Sequence, residues 1–279
     1  MNIHFDLVIH SPGYTVDMKS SLQTMQGMSD AIRTVAETIA NEVIPERKNF
    51  HDDTRTELED SFEGSYGQNF RLVTCSENAK QKFNELGEPV VVEIIKYYLS
   101  EALFQDYPKL SPSASKFIDK LGTSSESLIQ KLRNGTLQRV HTVPNTLHYD
   151  VSLHHKTYVK EEIKEVKLLQ TFDKETYAVL VPKKSKKIIN ISIAITRFNI
   201  FTGNGRCKVK GDNTDKIIAF GFISYKALKP KVKKIFSQNL DSNNGLDDEE
   251  VMHYINVSAR ELIKRDGEVV KYIIESVII

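Results

Sequence analysis

The chain is poor in cysteine: Cys75 and Cys207 are its two, far apart and in no Cys-x-x-Cys pair. A disulfide framework is thereby excluded, and free thiols in a reducing cytosol are expected. Long apolar runs are missing as well. No stretch approaches the ~20 residues that a membrane helix requires. His4 and Asp6 interrupt the first apolar residues, where a signal peptide would carry a basic region and then an apolar core. A cytoplasmic protein without membrane contact is the expectation. Catalytic motifs are also lacking. There is no Gly-x-Ser-x-Gly elbow, and Gly203-Asn204-Gly205 lacks the spacing and the Lys-Ser/Thr of a P-loop. No internal repeat or low-complexity linker interrupts the 279 residues, a length that holds one large or two ordinary domains.

What is present is charge, unevenly placed. A net charge of +1 conceals 15 Lys/Arg against 21 Asp/Glu in residues 1–155, and 23 against 16 in residues 156–279. Between Lys183 and Lys234 stand 14 cations and two anions, Asp212 and Asp215. A block of that kind sets up a field attractive to phosphates.

The C-terminal stretch, residues 188–279, alternates most regularly. Ile189, Ile191, Ile193 and Ile195 lie on one face of a strand. Phe198, Ile200 and Phe201 disturb the alternation, so a bulge is expected there. Thr202 to Gly205 read as a hairpin turn, and the return strand, Arg206 to Lys210, carries three cations on one face. A third strand spans Ile217 to Tyr225. Val232, Ile235, Phe236 and Leu240 follow at helical spacing, with Pro230 in the first turn. Strands over Val251 to Leu262 and Val269 to Val277 flank the turn Arg265-Asp266-Gly267. The order β-β-β-α-β-β resembles the OB-fold, a small five-stranded barrel.

Residues 1–135 read as a mostly helical α+β domain. Ile3, Phe5, Leu7 and Ile9 make a first strand. A stripe of Met18, Leu22, Met25, Met28, Ile32, Val35, Ile39 and Val43 makes a long core-facing helix that Pro45 stops. Tyr66, Phe70 and Leu72 mark a second strand, with a bulge or turn at Gly64-Ser65. Short helices are expected from Asn78 to Leu86, from Pro89, from Ser111-Pro112, and from the capping box Thr123-Ser124-Ser125-Glu126. Residues 136–187 form a connecting segment. In it Val140 to Val143 and Tyr149 to Leu153 look extended, while Val159, Ile163, Val166 and Leu169 fit a helix. A hairpin through Asp173-Lys174-Glu175 is the alternative.

Three constellations invite chemistry. His141, His148, His154 and His155 cluster beside Asp150, but their spacing matches no metal-ligand motif and no metal or other cofactor is assigned. His51-Asp52-Asp53 reads as a solvated loop sooner than a carboxylate site. Asp150 with Glu162-Ile163-Lys164 or Glu165-Val166-Lys167 fits the loose nuclease pattern of Asp, then Glu-x-Lys, in which carboxylates hold a divalent metal. Asp150, Glu165 and Lys167 are its best set; a charged helix face explains the same residues. The basic block has the clearest physical rationale. Arg197, Arg206, Lys208, Lys210, Lys231, Lys233 and Lys234 are the expected nucleic-acid contacts, with Phe220, Phe222 and Tyr225 available for stacking or, for the two phenylalanines, for core.

The layout of the strand Ile3 to Ile9, the long helix from Met18, Glu63-Gly64-Ser65-Tyr66 and the apolar helix from Val90 resembles that of uncharacterised bacterial and prophage two-domain proteins. Their partner domain is a small β-barrel. The resemblance implies a setting in phage defence or a phage-encoded assembly and carries no site residue. The expectation is a non-enzymatic protein that contacts nucleic acid through the barrel. A protein–protein or self-associating scaffold subunit is the alternative, and a metal-dependent nuclease the third reading.

Overall fold

A computed structural model describes residues 1–47, 52–62, 66–107, 109–160, 162–212, 216–246, 252–264 and 267–278. The expectations at His51, Gly64-Ser65, Asp215 and Arg265-Asp266 lie outside the described residues. The chain divides into two compact units, Met1–Leu180 and Val181–Ile279.

The first unit begins with β1 (Asn2–Ile9), whose Ile3, Phe5, Leu7 and Ile9 enter the core. The long helix α1 (Met18–Asn41) is capped by Asp17, whose carboxylate accepts from the Ser20 N–H at 2.8 Å, and ends on left-handed Glu42. Its stripe is buried from Met28 to Ile39, whereas Val43, beyond the end of the helix, is 66% exposed, contrary to expectation. Met18 and Leu22, at 74% and 52% exposure, stand outside the core, contrary to expectation. Leu22, Met25 and Met28 line a cavity of about 260 Å³ against Leu58 and Phe70. The hairpin β2 (Thr54–Phe62) and β3 (Tyr66–Thr74) follows. Then come α2 (Glu77–Leu86), α3 (Glu88–Ala102), α4 (Pro112–Leu121) and α5 (Ser124–Lys131). The Thr123 side chain makes no cap hydrogen bond, so that capping box does not form. A π-helical turn, Leu132–Thr136, leads into α6 (Leu137–Val140) and α7 (Thr142–Thr146). Val140 to Val143 are thus helical, not extended.

Residues 136–180 belong to the first unit and complete it. β4 (Val151–Val159) pairs with β1, and β5 (Glu162–Phe172) pairs with β4, giving an antiparallel sheet in the order β2-β3-β1-β4-β5. α8 (Lys174–Leu180) follows. The expected helix over Val159 to Leu169 is therefore a strand, and the alternative hairpin is a strand and a helix. Among the described residues 40% are helical and 33% are in strands, so the chain is a mixed α+β protein rather than a mostly helical one.

The second unit is a closed five-stranded barrel. β6 (Lys183–Lys184) is a short edge addition to β10. The barrel strands are β7 (Ile189–Phe198), β8 (Gly205–Val209), β9 (Ile218–Phe222), β10 (Ile255–Ile263) and β11 (Val269–Val277), with α9 (Pro230–Asn243) between the third and fourth. Their spatial order is β7-β8-β9-β11-β10, and β10 closes back onto β7. All pairs are antiparallel except β9 with β11. A bulge falls between Ile195 and Arg197, ahead of the place where it was expected, and β7 ends at Phe198. α9 plugs the barrel with Phe236, whose ring lies 5.9 Å from those of Phe198 and Phe220 and 4.9 Å from that of Phe222. Asn239 locks the helix in place: its side-chain oxygen accepts from the Ile195 N–H at 2.8 Å and its amide donates to the His253 carbonyl at 2.9 Å.

Candidate nucleic-acid interface

The cations of the second unit separate into three environments. Arg206 alternates with Cys207 on β8 as expected, but it is buried to 2% exposure. It therefore does not project from an open face, and the expected row of three cations is reduced to half-buried Lys208 and exposed Lys210. Lys210 lies with its ammonium 5.5 Å from the centre of the Tyr254 ring. Arg197 sits across the ladder from Arg206 and is half-buried. Several other cations are held in structural pairs. Lys264 is buried and pairs with Glu268, which also holds Lys216. Lys271, also buried, donates to the Asn204 side-chain oxygen at 2.9 Å.

The third group gathers where α9 begins. Lys226, Lys229, Lys231 and Lys234 are exposed, and Lys233 is half-buried. The Lys233 ammonium stands 4.6 Å from the centre of the Tyr225 ring, a cation–π contact. Tyr225 is the hub of this end of the barrel. Its hydroxyl donates to the Ile200 carbonyl at 2.8 Å, and its ring lies 5.4 Å from that of Phe222 and 6.0 Å from that of Phe198. The segment after β9 is thus tied to the loop joining β7 and β8. Ile200, Phe201 and Ile223 emerge there at 57%, 43% and 61% exposure. Burial raises the Tyr225 phenol above its ordinary range, so the ring stays neutral beside the lysine. Phe220 is fully buried, and Phe222 packs against the barrel core, which assigns both rings to packing. Tyr225, expected as a ring for base stacking, carries Lys233 and holds the β7–β8 loop.

α9 itself adds to the positive field. No acidic residue occupies its first turn and no side chain caps it, so the partial positive charge of the helix end is uncompensated. Cys207 is buried in the barrel, and burial pushes its thiol up to about 12, which leaves it unreactive.

The histidines go to separate places. His141 is buried among helices, its Nδ1 donating to the Leu137 carbonyl at 2.6 Å and its Nε2 2.9 Å from the Thr176 hydroxyl. His154 and His155 face opposite sides of β4. His154 Nδ1 lies 2.6 Å from buried Asp6, which also holds buried Lys156 at 3.1 Å, while His155 Nε2 lies 2.8 Å from Glu88. His148 is an exposed loop residue with φ of 60°. Among the described residues no group of three or more His, Cys, Asp or Glu is placed to hold a metal. The nuclease set does not assemble either. Asp150 is exposed beside Val151, which pairs with Phe172, whereas Glu165 pairs with Thr157. Seven residues of strand, roughly 20 Å at the usual rise, separate the two carboxylates. Asp52 is engaged by Arg33 at 3.1 Å.

Among the described residues no helix is long and apolar enough to cross a membrane. Compared with known protein families, curated proteins and solved structures, the chain matches none.

Proposed function

We propose that this chain is a non-enzymatic, nucleic-acid-contacting protein whose working surface is the lysine-rich end of the C-terminal barrel. The supporting observation is the concentration of Lys226, Lys229, Lys231, Lys233 and Lys234 around an uncapped helix start, with Lys233 resting on Tyr225. Like charges crowded at the positive end of a helix cost stability in the free protein. A polyanion offsets that cost, and release of its counterions drives binding. The exposed Ile200, Phe201 and Ile223 beside the lysines offer apolar contact to bases.

The barrel is read as OB-like. A closed five-stranded barrel with a helix between its third and fourth strands, and a parallel pair formed by the third and fifth, supports that reading. In it the contact surface shifts from the middle of the second strand toward the β7–β8 loop and the start of α9, because Arg206 is buried. The layout resemblance noted above is what supports reading the setting as phage defence or a phage-encoded assembly. A protein-binding role is favoured by a different surface, the exposed β5 stripe of the first unit.

The test is binding of labelled single- and double-stranded DNA and RNA at two salt concentrations, using wild type and Lys229/Lys231/Lys233/Lys234→Glu. Salt-sensitive binding that the variant loses supports the reading. Equal binding by both proteins removes it.

A further inference from the structure

We propose that β5 is the surface through which two copies of this chain associate, pairing antiparallel about Val166 and extending the sheet across both copies. β5 is the terminal strand of its sheet. β1 pairs with β4 only as far as Lys156, while β4 and β5 continue together through Thr157, Tyr158 and Val159. The end of the β4–β5 hairpin therefore runs on as a two-stranded ribbon, an arrangement of marginal stability by itself. All residues of β5 from Glu162 to Leu168 are exposed. Three of them are apolar and point to one face: Ile163, Val166 and Leu168, at 52%, 50% and 49% exposure, beside Tyr158 at 37%. A long sheet edge carrying such a stripe is a template for another strand.

The charges say which strand. Bulges at Lys164 and Leu169 bracket a regular run from Glu165 to Leu168. An edge lysine ordinarily blunts pairing. With a two-fold axis through Val166, however, Glu165 lies opposite Lys167 of the second copy and Lys167 opposite its Glu165, while Val166 meets its counterpart on the other face. Two ion pairs and an apolar pair form at once, and directly opposite pairs are where cross-strand contacts count. Among the described residues neither the Glu165 nor the Lys167 side chain has a hydrogen-bonding or ion-pair partner, although their backbones pair with Thr157 and His155 of β4, so both charges are available. A self-complementary strip of this kind is what a two-fold interface requires.

The experiment is sedimentation equilibrium of the full-length chain. Wild type is expected to be a dimer. Glu165→Lys and Lys167→Glu each set like charges opposite one another twice and should weaken dimerisation by about tenfold or more. An equimolar mixture of these two variants should form a heterodimer, and the double charge swap should dimerise again. All substituted side chains are exposed, so folding is not at stake. Val166→Cys in a Cys75→Ser background should oxidise to an interchain disulfide, because residue 166 faces itself across the axis. A monomeric wild type, a dimer indifferent to the charge changes, or a dimer that Val166→Cys does not cross-link overturns the proposal.

Discussion

Gly203 lies flat against the Tyr225 ring: a Cβ built on it would stand 2.3 Å from a ring carbon, and its φ is +77°. Both facts demand glycine, and together they explain how the β7–β8 loop is held against the segment entering α9. Gly203→Ala must displace Tyr225 and strain the backbone, at a cost of about 1–3 kcal/mol. The expected outcome is a lower denaturant midpoint and loss of nucleic-acid affinity greater than the stability loss explains, because Tyr225 no longer seats Lys233. Wild-type affinity in a folded Gly203→Ala protein would separate the loop from the binding surface.

Acid should destabilise the first unit through His141. Burial lowers its pKa to about 4, against the ordinary value of 6.5 that the unfolded chain recovers. Between those values the unfolded state binds the extra proton. The stability from neutral His141 is therefore complete above about pH 6.5 and is lost as pH falls toward about 4, by at most about 3 kcal/mol. Urea unfolding at about pH 7.5 and about pH 4.5 measures it. In His141→Gln the pH-dependent loss should shrink, and an unchanged loss would assign it to other groups.

A pair of glycines tests helix packing by sign. A Cβ at Gly27 of α1 would lie 2.5 Å from the Val140 nitrogen and 2.8 Å from the Thr136 carbonyl oxygen, whereas at Gly135 nothing stands within 4 Å. Helix propensity favours alanine by about 1 kcal/mol at either site. Gly27→Ala should nevertheless destabilise by about 1–3 kcal/mol, since backbone cannot step aside without parting α1 from α6. Gly135→Ala should be neutral or stabilising. Thermal denaturation of the two variants decides it.

The legible parts of this fold are those where one face is apolar and the ladder is regular. Ile189, Ile191, Ile193 and Ile195 announce β7, and the strand expected over Val269 to Val277 is the strand found. β5 misled for a physical reason. Bulges at Lys164 and Leu169 insert an extra residue, so Ile163 and Val166 share a face three apart and Leu169 turns inward, which mimics helical spacing. Closure of the barrel depends on the β7–β10 and β9–β11 pairings, which join segments distant in sequence and leave no local signal. Burial of Arg206 is equally invisible, because alternation names the face of a residue and not what covers that face. The lysines at the start of α9 were readable from composition alone; their gathering around Tyr225 was not.

The lysines at the start of α9 carry the proposed contact with nucleic acid. Fluorescence anisotropy with a labelled single-stranded oligonucleotide, titrated across salt, gives the slope of log affinity against log salt. For wild type the slope should be steep, and removing four phosphate contacts with Lys229/Lys231/Lys233/Lys234→Ala should reduce it by about 3. No salt-sensitive binding, or a slope that the four substitutions leave unchanged, would contradict the account.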